Sequence, residues 1–513
     1  MFELMISPLS LDARALDRAR LSRDPRFDGK FFIAVTSTKI YCRSICPAKV
    51  SKDCNVRYYA TAAEAAAAGF RPCRRCRPEA APGSPAWLGT SAVVRRALRM
   101  IQEGALDHSS VERLAERLGV GARHLGRLFT RHVGASPVAI AQTRRLHFAK
   151  QLLDETRLPI TEIALASGFG SVRRFNDTFK AAYRRSPREI RRVGTPRRRR
   201  DAEIALRLTY RPPYDWPQVS RTLAARAILG VESVEPGVYR RTVRTSGGHA
   251  VIEVRCIAGA DALELRIRGG QSSDLLTFAS AVRRMFDLSA DPARISEVLQ
   301  RDPALRARVV MRRGLRLAGI WDPFECAVRL IVGHGHSPAT TRLLLARLVR
   351  CAGQRVAEDA EELQWLFPHA AALAGADLAG IGLSGETGET LRALAHSLRD
   401  LDNGTHHFGE AVLEAVHRLG RPAGASEECL SLFGLGEPDA LPCDDDTLRQ
   451  QLSLGDTPLT RAELEARAEL WRPFRGYAAI LIWNAAAADP DVPAITAQAV
   501  GRFQQRPAQM RKA

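Results

Sequence analysis

The sequence predicts a multidomain α+β protein, and three observations lead to this prediction. A chain of 513 residues is long enough for three or four domains, each with its own core. Four cysteines at metal-site spacing stand near the front of the chain. Helical periodicity follows them, and strand-like stretches separated by turn signals begin after residue 204. We therefore expect a small metal domain, an all-helical domain, and a rear half in which a sheet precedes helices.

Charge divides the chain into two unlike halves. Residues 1–200 contain 39 Lys and Arg against 17 Asp and Glu, whereas the remainder contains 37 against 39. A basic front predicts a polyanion partner, and nucleic acid is favoured because no long apolar run or basic amphipathic helix suggests a membrane. The N-terminus lacks the pattern of a signal peptide, and most cysteines are scattered singly. We therefore expect a reduced, cytoplasmic protein.

The cysteine spacing predicts one zinc site. Cys42-x-x-x-Cys46 and Cys73-x-x-Cys76 can close a tetrahedral shell around one Zn²⁺. Spacing alone leaves two interpretations open, a zinc ion that only staples a small fold and one that takes part in chemistry. Cys54 lies alone between the pairs at a spacing that suits neither, so we expect a free surface thiol.

The residues around the two cysteine pairs are a more specific signal than the spacing of the cysteines. The stretches FIAVTSTKIYCRSICP from residue 32 and AAGFRPCRRCRP from residue 67 resemble the N-terminal domain of the bacterial Ada family. The resemblance covers about residues 10–80. It implies that Cys42 takes a methyl group from DNA methyl phosphotriesters, while Cys46, Cys73 and Cys76 complete the zinc shell. Family positions that contact DNA correspond to Thr38, Lys49 and Arg71, whereas Pro47 replaces a family arginine.

Two helical units follow the metal domain. Residues 111–120, followed by Leu125, Leu128 and Phe129, predict a helix, a Gly-centred turn and a second helix, which together form a helix-turn-helix. A long helix at about 137–153 leads to a similar unit ending near residue 192. The pattern also fits a helical bundle without special purpose, but its Arg-rich outer faces favour phosphate binding. The paired units resemble the AraC-family DNA-binding domain. Candidate base-reading side chains are Arg123, His124, Arg127, Arg173, Arg174 and Asn176.

The rear half has four predicted strands, at 206–210, 237–243, 250–257 and 262–268, and helical periodicity after about residue 275. The stretches RPPYDW from residue 211, DPFECAVR from 322 and WRPFRGY from 471 resemble AlkA, the alkylated-base DNA glycosylase. The resemblance implies a β-rich, TBP-like domain before a helical helix-hairpin-helix domain. It assigns the catalytic carboxylate to Asp445 and a base-stacking ring to Trp483. Read without it, Asp445 is a helix cap and Trp483 a core residue.

Three departures from the AlkA pattern bear on activity. The hairpin at residues 419–428 has displaced glycines and two acidic residues, which disfavour phosphate. Two aromatic pocket positions fall at Ala425 and Cys429. The position that wedges into the base stack is Gly335, which has no side chain to fill the space. His334 and His336 offer a metal site or a substitute wedge, although ordinary loop histidines explain them as well.

Together these observations predict a bacterial transcriptional activator that also repairs alkylated DNA. Expected partners are alkylated and promoter DNA, both double-stranded, and RNA polymerase. The expected activities are irreversible methyl transfer to Cys42 and removal of 3-methyladenine by the rear half. The alternative is a regulator whose AlkA-like domain is catalytically weak or dead. The expected spans are a zinc domain at 1–82, helix-turn-helix units at 88–193, a basic linker at 194–204, and AlkA-like domains at 205–318 and 319–505.

Overall fold

The predicted α+β class is confirmed. The computed structural model describes residues 13–24, 27–73, 75–76, 78, 92–102, 104–107, 109–191, 203–245, 247–356, 362–401, 408–420, 426–453 and 457–486. Residues 194–202 of the predicted basic linker and residues 421–425 of the predicted hairpin lie outside these ranges, whereas Glu203 and Ile204 begin the first strand of the rear sheet.

The front domain is built on a four-stranded sheet with the order β3-β1-β2-β4. After helix α2, Gly69 adopts a φ of +83°, which a residue with a side chain rarely adopts, and the chain turns into β4. Strand β4 then pairs in parallel with β2. The elements are α1 Ala13–Leu21, β1 Phe32–Val35, β2 Ile40–Arg43, β3 Val56–Tyr59, α2 Ala62–Ala67 and β4 Arg71–Pro72.

Seven helices follow in the order that the periodicity predicts. Ser110, Ser136 and Ser171 each accept a hydrogen bond from a backbone N–H of the first turn and so cap three of these helices. The long connecting helix is confirmed as α6. The helices are α3 Ala92–Gln102, α4 Val111–Arg117, α5 Ala122–Val133, α6 Pro137–Glu155, α7 Ile160–Ala166, α8 Val172–Tyr183 and α9 Pro187–Arg191.

A five-stranded antiparallel sheet opens the rear half, in the order β5-β9-β8-β7-β6. The four predicted strands are confirmed. Strand β6 was not predicted because its sequence, Glu-Ser-Val-Glu, holds a single apolar residue, and its pairing with β7 defines it. The elements are β5 Glu203–Thr209, α10 Trp216–Arg226, β6 Glu232–Glu235, β7 Val238–Thr245, β8 Gly248–Cys256, β9 Ala262–Gly269 and α11 Leu275–Met285.

The helical part of the rear half packs around a central helix, α14, that is buried along its whole length. Four successive helices begin with an Asp or Ser cap followed by proline, because proline fits the first helical turn without losing a bond. The helices are α12 Pro292–Leu299, α13 Pro303–Met311, α14 Pro323–Gly333, α15 Pro338–Ala352, α16 Ala370–Ala374, α17 Gly385–Leu398, α18 Phe408–Leu419, α19 Glu427–Cys429, α20 Asp446–Gln451, α21 Arg461–Ala468 and α22 Arg475–Ala486. The short strands β10 Gln354–Arg355 and β11 Trp365–Leu366 pair with each other.

The second helix-turn-helix unit and the five-stranded sheet share one apolar core. Phe175 and Phe179 of α8 belong to the same buried cluster as Leu206 and Leu208 of β5. A cavity of about 370 Å³ separates α3 and α6 from the rear half and is lined in part by Phe474. The helix-turn-helix units and the rear half are therefore packed as neighbours.

A buried ionic network joins the sheet to α14. Arg329 donates to Glu232 at 2.5 Å, and Arg241 donates to Glu325 at 2.8 Å. Burial alone would raise the pKa of Glu232, but the charges of Arg329 and Arg241 lower it to about 2. Breaking a buried pair leaves an uncompensated charge in a medium of low dielectric.

We expect Glu232→Gln to lower the free energy of unfolding by about 3 kcal/mol near neutral pH. The pKa of Glu232 is depressed on folding, so its stabilising effect is complete above the ordinary value of 4.5 and fades as the pH falls towards about 2. Denaturant unfolding at several pH values measures this difference. Glu235→Gln on the same strand is the control, because the Glu235 side chain is 48% exposed and its pair with Arg240 is open to solvent on that side. Equal effects of the two substitutions would contradict the assignment.

Candidate functional site

Two neighbouring strands bring the cysteine pairs together. Cys42 lies in β2, and the parallel strand β4 places Cys73 beside it, where the Cys73 N–H donates to the carbonyl of Tyr41 at 2.9 Å. A tight turn follows β2, in which the N–H of Cys46 donates to the carbonyl of Arg43 at 3.2 Å. All four predicted ligand sulfurs consequently lie within 4.8 Å of one another.

The four sulfurs fit one Zn²⁺. Tetrahedral coordination with Zn–S bonds of about 2.3 Å places sulfur atoms about 3.8 Å apart. The sulfurs of Cys46 and Cys73 are 3.9 Å apart. Within the described residues, this is the one group of three or more His, Cys, Asp or Glu side chains that could share an ion. The prediction of one zinc ion is confirmed.

The protonation of the thiols also calls for a cation. A hydrogen bond from Cys42 lowers the pKa of Cys46 to about 7 and lowers the pKa of Cys73 as well. Hydrogen bonds to Cys46 and to Cys42 raise the pKa values of Cys42 and Cys76, respectively. The shifts run in opposite directions because the four sulfurs lie close enough to hydrogen-bond to one another. A divalent cation would replace the thiol protons, since metal binding requires deprotonated sulfur.

A buried arginine fixes the loop that carries the last ligand. Arg43, 9% exposed, donates through Nε to Asp28 at 2.8 Å and through a terminal nitrogen to the carbonyl of Cys76 at 3.2 Å. Arg211 of the rear half donates to the carbonyl of Asp28 at 2.9 Å. Arg43 is therefore turned into the protein, where the internal carboxylate of Asp28 balances its charge.

The predicted DNA contacts of the front domain lie at its surface. Thr38, in the turn between β1 and β2, and Lys49 are exposed, whereas Arg71 in β4 is half-buried. Cys42 and Cys46 are also half-buried, and Cys73 and Cys76 are buried. The metal centre therefore has one side near the solvent. Cys54 is an exposed thiol, as predicted.

Both helix-turn-helix units present their second helix to solvent. Helices α5 and α8 bury Leu125, Phe129, Phe175 and Phe179 on one face, so polar residues on the opposite face point outward. Six predicted base-reading residues are exposed, namely Arg123, His124 and Arg127 on α5 and Arg173, Arg174 and Asn176 on α8. Their placement suits insertion of either helix into a major groove.

Asp445 and Trp483 meet in the interior of the helical part. Asp445 caps α20 by accepting from the N–H of Leu448 at 2.8 Å, and its Oδ1 also accepts from the indole N–H of Trp483 at 3.1 Å. Asp445 is 4% exposed and Trp483 1% exposed, and the indole stacks against Phe433. Burial raises the pKa of Asp445 against the effect of these hydrogen bonds. In this conformation the carboxylate of Asp445 caps α20 and is too deeply buried for a nucleotide to reach it.

The other positions that the sequence singles out in the AlkA-like half are Gly335, Cys429, Ala425, His334 and His336. Gly335 lies between α14 and α15 with a φ of +69°, and a Cβ built there meets no atom within 4 Å. Cys429 is buried in α19, whereas Ala425 lies outside the described residues. His334 and His336 take part in no group of three potential metal ligands in the described part of the chain.

Comparisons with known proteins match three successive stretches of the chain. Residues 15–79 match the metal binding domain of Ada, residues 114–193 a helix-turn-helix domain, and residues 205–322 the AlkA N-terminal domain.

A relative from Mycobacterium tuberculosis, "Probable bifunctional transcriptional activator/DNA repair enzyme AlkA", is 37% identical over 483 residues, covering 91% of this chain and 95% of its own. The chain belongs to this family of bifunctional activator and DNA repair proteins. The Escherichia coli "DNA-3-methyladenine glycosylase 2" is 31% identical over 55% of this chain and 98% of its own length. The E. coli "Bifunctional transcriptional activator/DNA repair enzyme Ada" is 38% identical over 29% of this chain and 40% of its own.

The Ada-like domain contacts both the helix-turn-helix units and the AlkA-like half in this chain. The Tyr41 hydroxyl, next to ligand Cys42, lies 2.9 Å from Nε2 of His147 in α6, and burial lowers the pKa of that imidazole to about 4. Two further contacts, Lys30 with Asp291 and Arg211 with Asp28, join the Ada-like domain to the AlkA-like half. Within the described residues, no helix has the length and apolar character of a membrane span.

Sequence reasoning missed three contacts at these family sites: Arg43 with Asp28, Tyr41 with His147, and Trp483 with Asp445. Only the first had a usable signal, since β-strand alternation places Arg43 on the opposite face from Cys42. The other two depend on how distant segments dock.

We expect one zinc ion per chain by metal analysis and loss of most of it in Cys76→Ala, because three thiolates leave the shell open. Cys54→Ala is the matched control and should retain one zinc, since this thiol is exposed and stands apart from the four-sulfur group. Retention of full zinc by Cys76→Ala would rule out this ligand set.

Proposed function

We propose that this protein takes methyl groups from DNA methyl phosphotriesters onto Cys42 and, once methylated, activates transcription by binding a promoter more tightly. The observation that carries the proposal is the four-thiol centre at the surface of a basic domain packed against DNA-reading helices. Residues 1–82 would take the methyl group, residues 88–193 would read DNA, and 205–318 with 319–505 would form the glycosylase-like half, with 194–204 as the basic linker.

The contacts of the four sulfurs support Cys42 as the acceptor. The N–H of Arg43 donates to the sulfur of Cys76 at 3.3 Å, and the N–H groups of Ala48 and Cys76 face the sulfurs of Cys46 and Cys73. Such bonds withdraw charge from sulfur. Cys42, like Cys46, is half-buried rather than buried, so its sulfur is open to an approaching ligand. Of these two sulfurs, the resemblance to the Ada family assigns the acceptor role to Cys42.

Methyl transfer requires a sulfur with a free electron pair at the methyl carbon. When bound, Zn²⁺ keeps the sulfurs deprotonated at neutral pH. The Cys42 sulfur attacks the methyl carbon, a C–S bond forms, and the C–O bond of the triester breaks. Its electron pair stays on the phosphate oxygen, so a phosphodiester anion leaves and no proton is transferred. No second thiol reverses the step, so each chain would react once.

The same step would change the charge that faces DNA. A thiolate becomes a neutral thioether, so the centre carries one negative charge fewer. Repulsion between the centre and the phosphates falls, and binding of the whole chain to DNA should tighten. Thr38, Lys49 and Arg71 would contact the backbone near the lesion, and the exposed residues of α5 and α8 would read the promoter. RNA polymerase is the protein partner we propose for the bound activator.

A second proposed activity is removal of alkylated bases, including 3-methyladenine, by the rear half. The observation that favours it is the placement of Asp445 at the start of α20, beside Trp483. A carboxylate there would support positive charge on the sugar while the glycosidic bond breaks and its electron pair leaves with the base. Because Trp483 covers Asp445, a flipped base would enter only after the indole moves. The alternative is that the site stays closed and the half acts only in regulation.

We expect mass spectrometry to find one added methyl group, on Cys42, after incubation with duplex DNA that contains methyl phosphotriesters. Cys42→Ser should gain none, whereas Cys54→Ala should react like the unaltered protein because Cys54 stands outside the centre. A promoter fragment should bind the methylated protein more tightly than the unmethylated one. Methyl gain on another residue would refute the assignment of the acceptor, and unchanged promoter affinity would remove the switch.

We expect the full chain to release 3-methyladenine from alkylated DNA and Asp445→Asn to abolish the release. Because burial raises the pKa of Asp445, the required carboxylate should be lost at a higher pH than for an ordinary aspartate, and the rate should fall there. Asp446→Asn is the control, since Asp446 is exposed and paired with Arg449. Equal, low release by the unaltered protein and Asp445→Asn would favour the purely regulatory alternative.

A further inference from the structure

A cleft of about 300 Å³ opens beside the four-cysteine centre, and three parts of the chain line it. The front domain contributes Cys76, Pro47 and Arg75, the end of α6 contributes Glu155, and β5 of the AlkA-like half contributes Arg207. A cleft that touches a metal ligand is placed to receive part of whatever approaches that centre.

The backbone of β5 fixes the position of Arg207. Its neighbours Leu206 and Leu208 are buried in the shared core, so strand alternation turns Arg207 outward. The N–H of Arg207 donates to Oε2 of Glu155 at 2.9 Å, and its carbonyl accepts from Gln151 at 3.0 Å. Both partners lie on α6, whose His147 contacts Tyr41 next to the metal centre. The arginine is therefore held against the front domain through α6.

The charges of the cleft favour an anion. Arg75 and Arg207 are exposed, and each brings a guanidinium group. Arg43 also lines the cleft, but Asp28 already neutralises it. The one lining carboxylate, Glu155, accepts from two N–H groups through Oε2, which disperses its charge. Guanidinium groups form bidentate hydrogen bonds with phosphate oxygens, so a phosphodiester is the matching ligand.

We propose that Arg207, a residue of the AlkA-like half, binds a DNA phosphate next to the methylated one while Cys42 takes the methyl group. A methyl phosphotriester is itself neutral, so the charge available for recognition lies on the flanking phosphodiesters. The inference rests on the proposed methyl transfer and extends it, because the substrate cleft of the front domain would then be completed by the fused repair half. Arg207 is a positioning residue in this account.

Full-length Arg207→Ala tests the inference, because residue 207 is remote in sequence from every zinc ligand. Methyl gain is followed on a short duplex with one methyl phosphotriester at several DNA concentrations. The half-saturating DNA concentration should rise about three- to tenfold, with the limiting rate and zinc content unchanged. Binding measured by fluorescence anisotropy should lose about 0.9 from the slope of log affinity against log salt, which corresponds to one phosphate contact. Arg207→Lys should keep most of that slope, since it keeps the charge.

Arg268→Ala is the matched control, since Arg268 is an exposed arginine at the far end of β9, the strand paired with β5. Arg207→Ala behaving like this control in both the concentration dependence and the salt slope would overturn the inference. If the unaltered protein gains no methyl group, the proposed function fails. The salt slope is measured by binding alone, so it still decides whether Arg207 contacts a phosphate.

Discussion

The constraint on which the structure depends is the gathering of four sulfurs within 4.8 Å of one another, where deprotonated sulfurs would repel one another without a cation. One cation must balance them, and the fold supplies rigid support so that they stay together: parallel pairing of β2 with β4 fixes Cys42 beside Cys73, and the buried Arg43–Asp28 pair holds the loop of Cys76. Because the charge is concentrated in a basic domain, loss of one unit of it, as proposed for methylation, would change DNA affinity more than the same change in the rear half would.

Contacts between domains connect the zinc domain to the rest of the chain. Tyr41 reaches His147 on α6, and α6 also contacts β5 through Gln151 and Glu155. The second helix-turn-helix unit shares a core with the sheet. The zinc domain, the helix-turn-helix units and the glycosylase-like half therefore form one packed assembly, and DNA bound by one part would lie near the others.

The glycosylase-like half keeps its key carboxylate but covers it. Asp445 accepts hydrogen bonds from the first turn of α20 and from the indole N–H of Trp483. Opening the site therefore breaks the bond to the indole and the stacking of the indole on Phe433. Gly335 offers no side chain to replace a flipped base, and its positive φ disfavours one. The proposed base removal would therefore require a conformational change, whereas the proposed methyl acceptor, Cys42, is already half-buried.

The sequence was most informative where the signal is local. Cysteine spacing predicted the zinc ion, apolar periodicity predicted the paired helix-turn-helix units, and strand-like stretches between turn signals predicted four of the five strands of the rear sheet. Contacts such as Trp483 with Asp445, and the approach of Arg207 to the metal centre, depend on how segments far apart in the chain dock, which no local pattern encodes.

Zinc K-edge X-ray absorption of the full chain tests the central claim most directly. We predict four sulfur neighbours at about 2.3 Å, with one sulfur distance separating from the other three after reaction with methylated DNA. Oxygen or nitrogen in the shell, or an unchanged spectrum after the lesion is consumed, would contradict it.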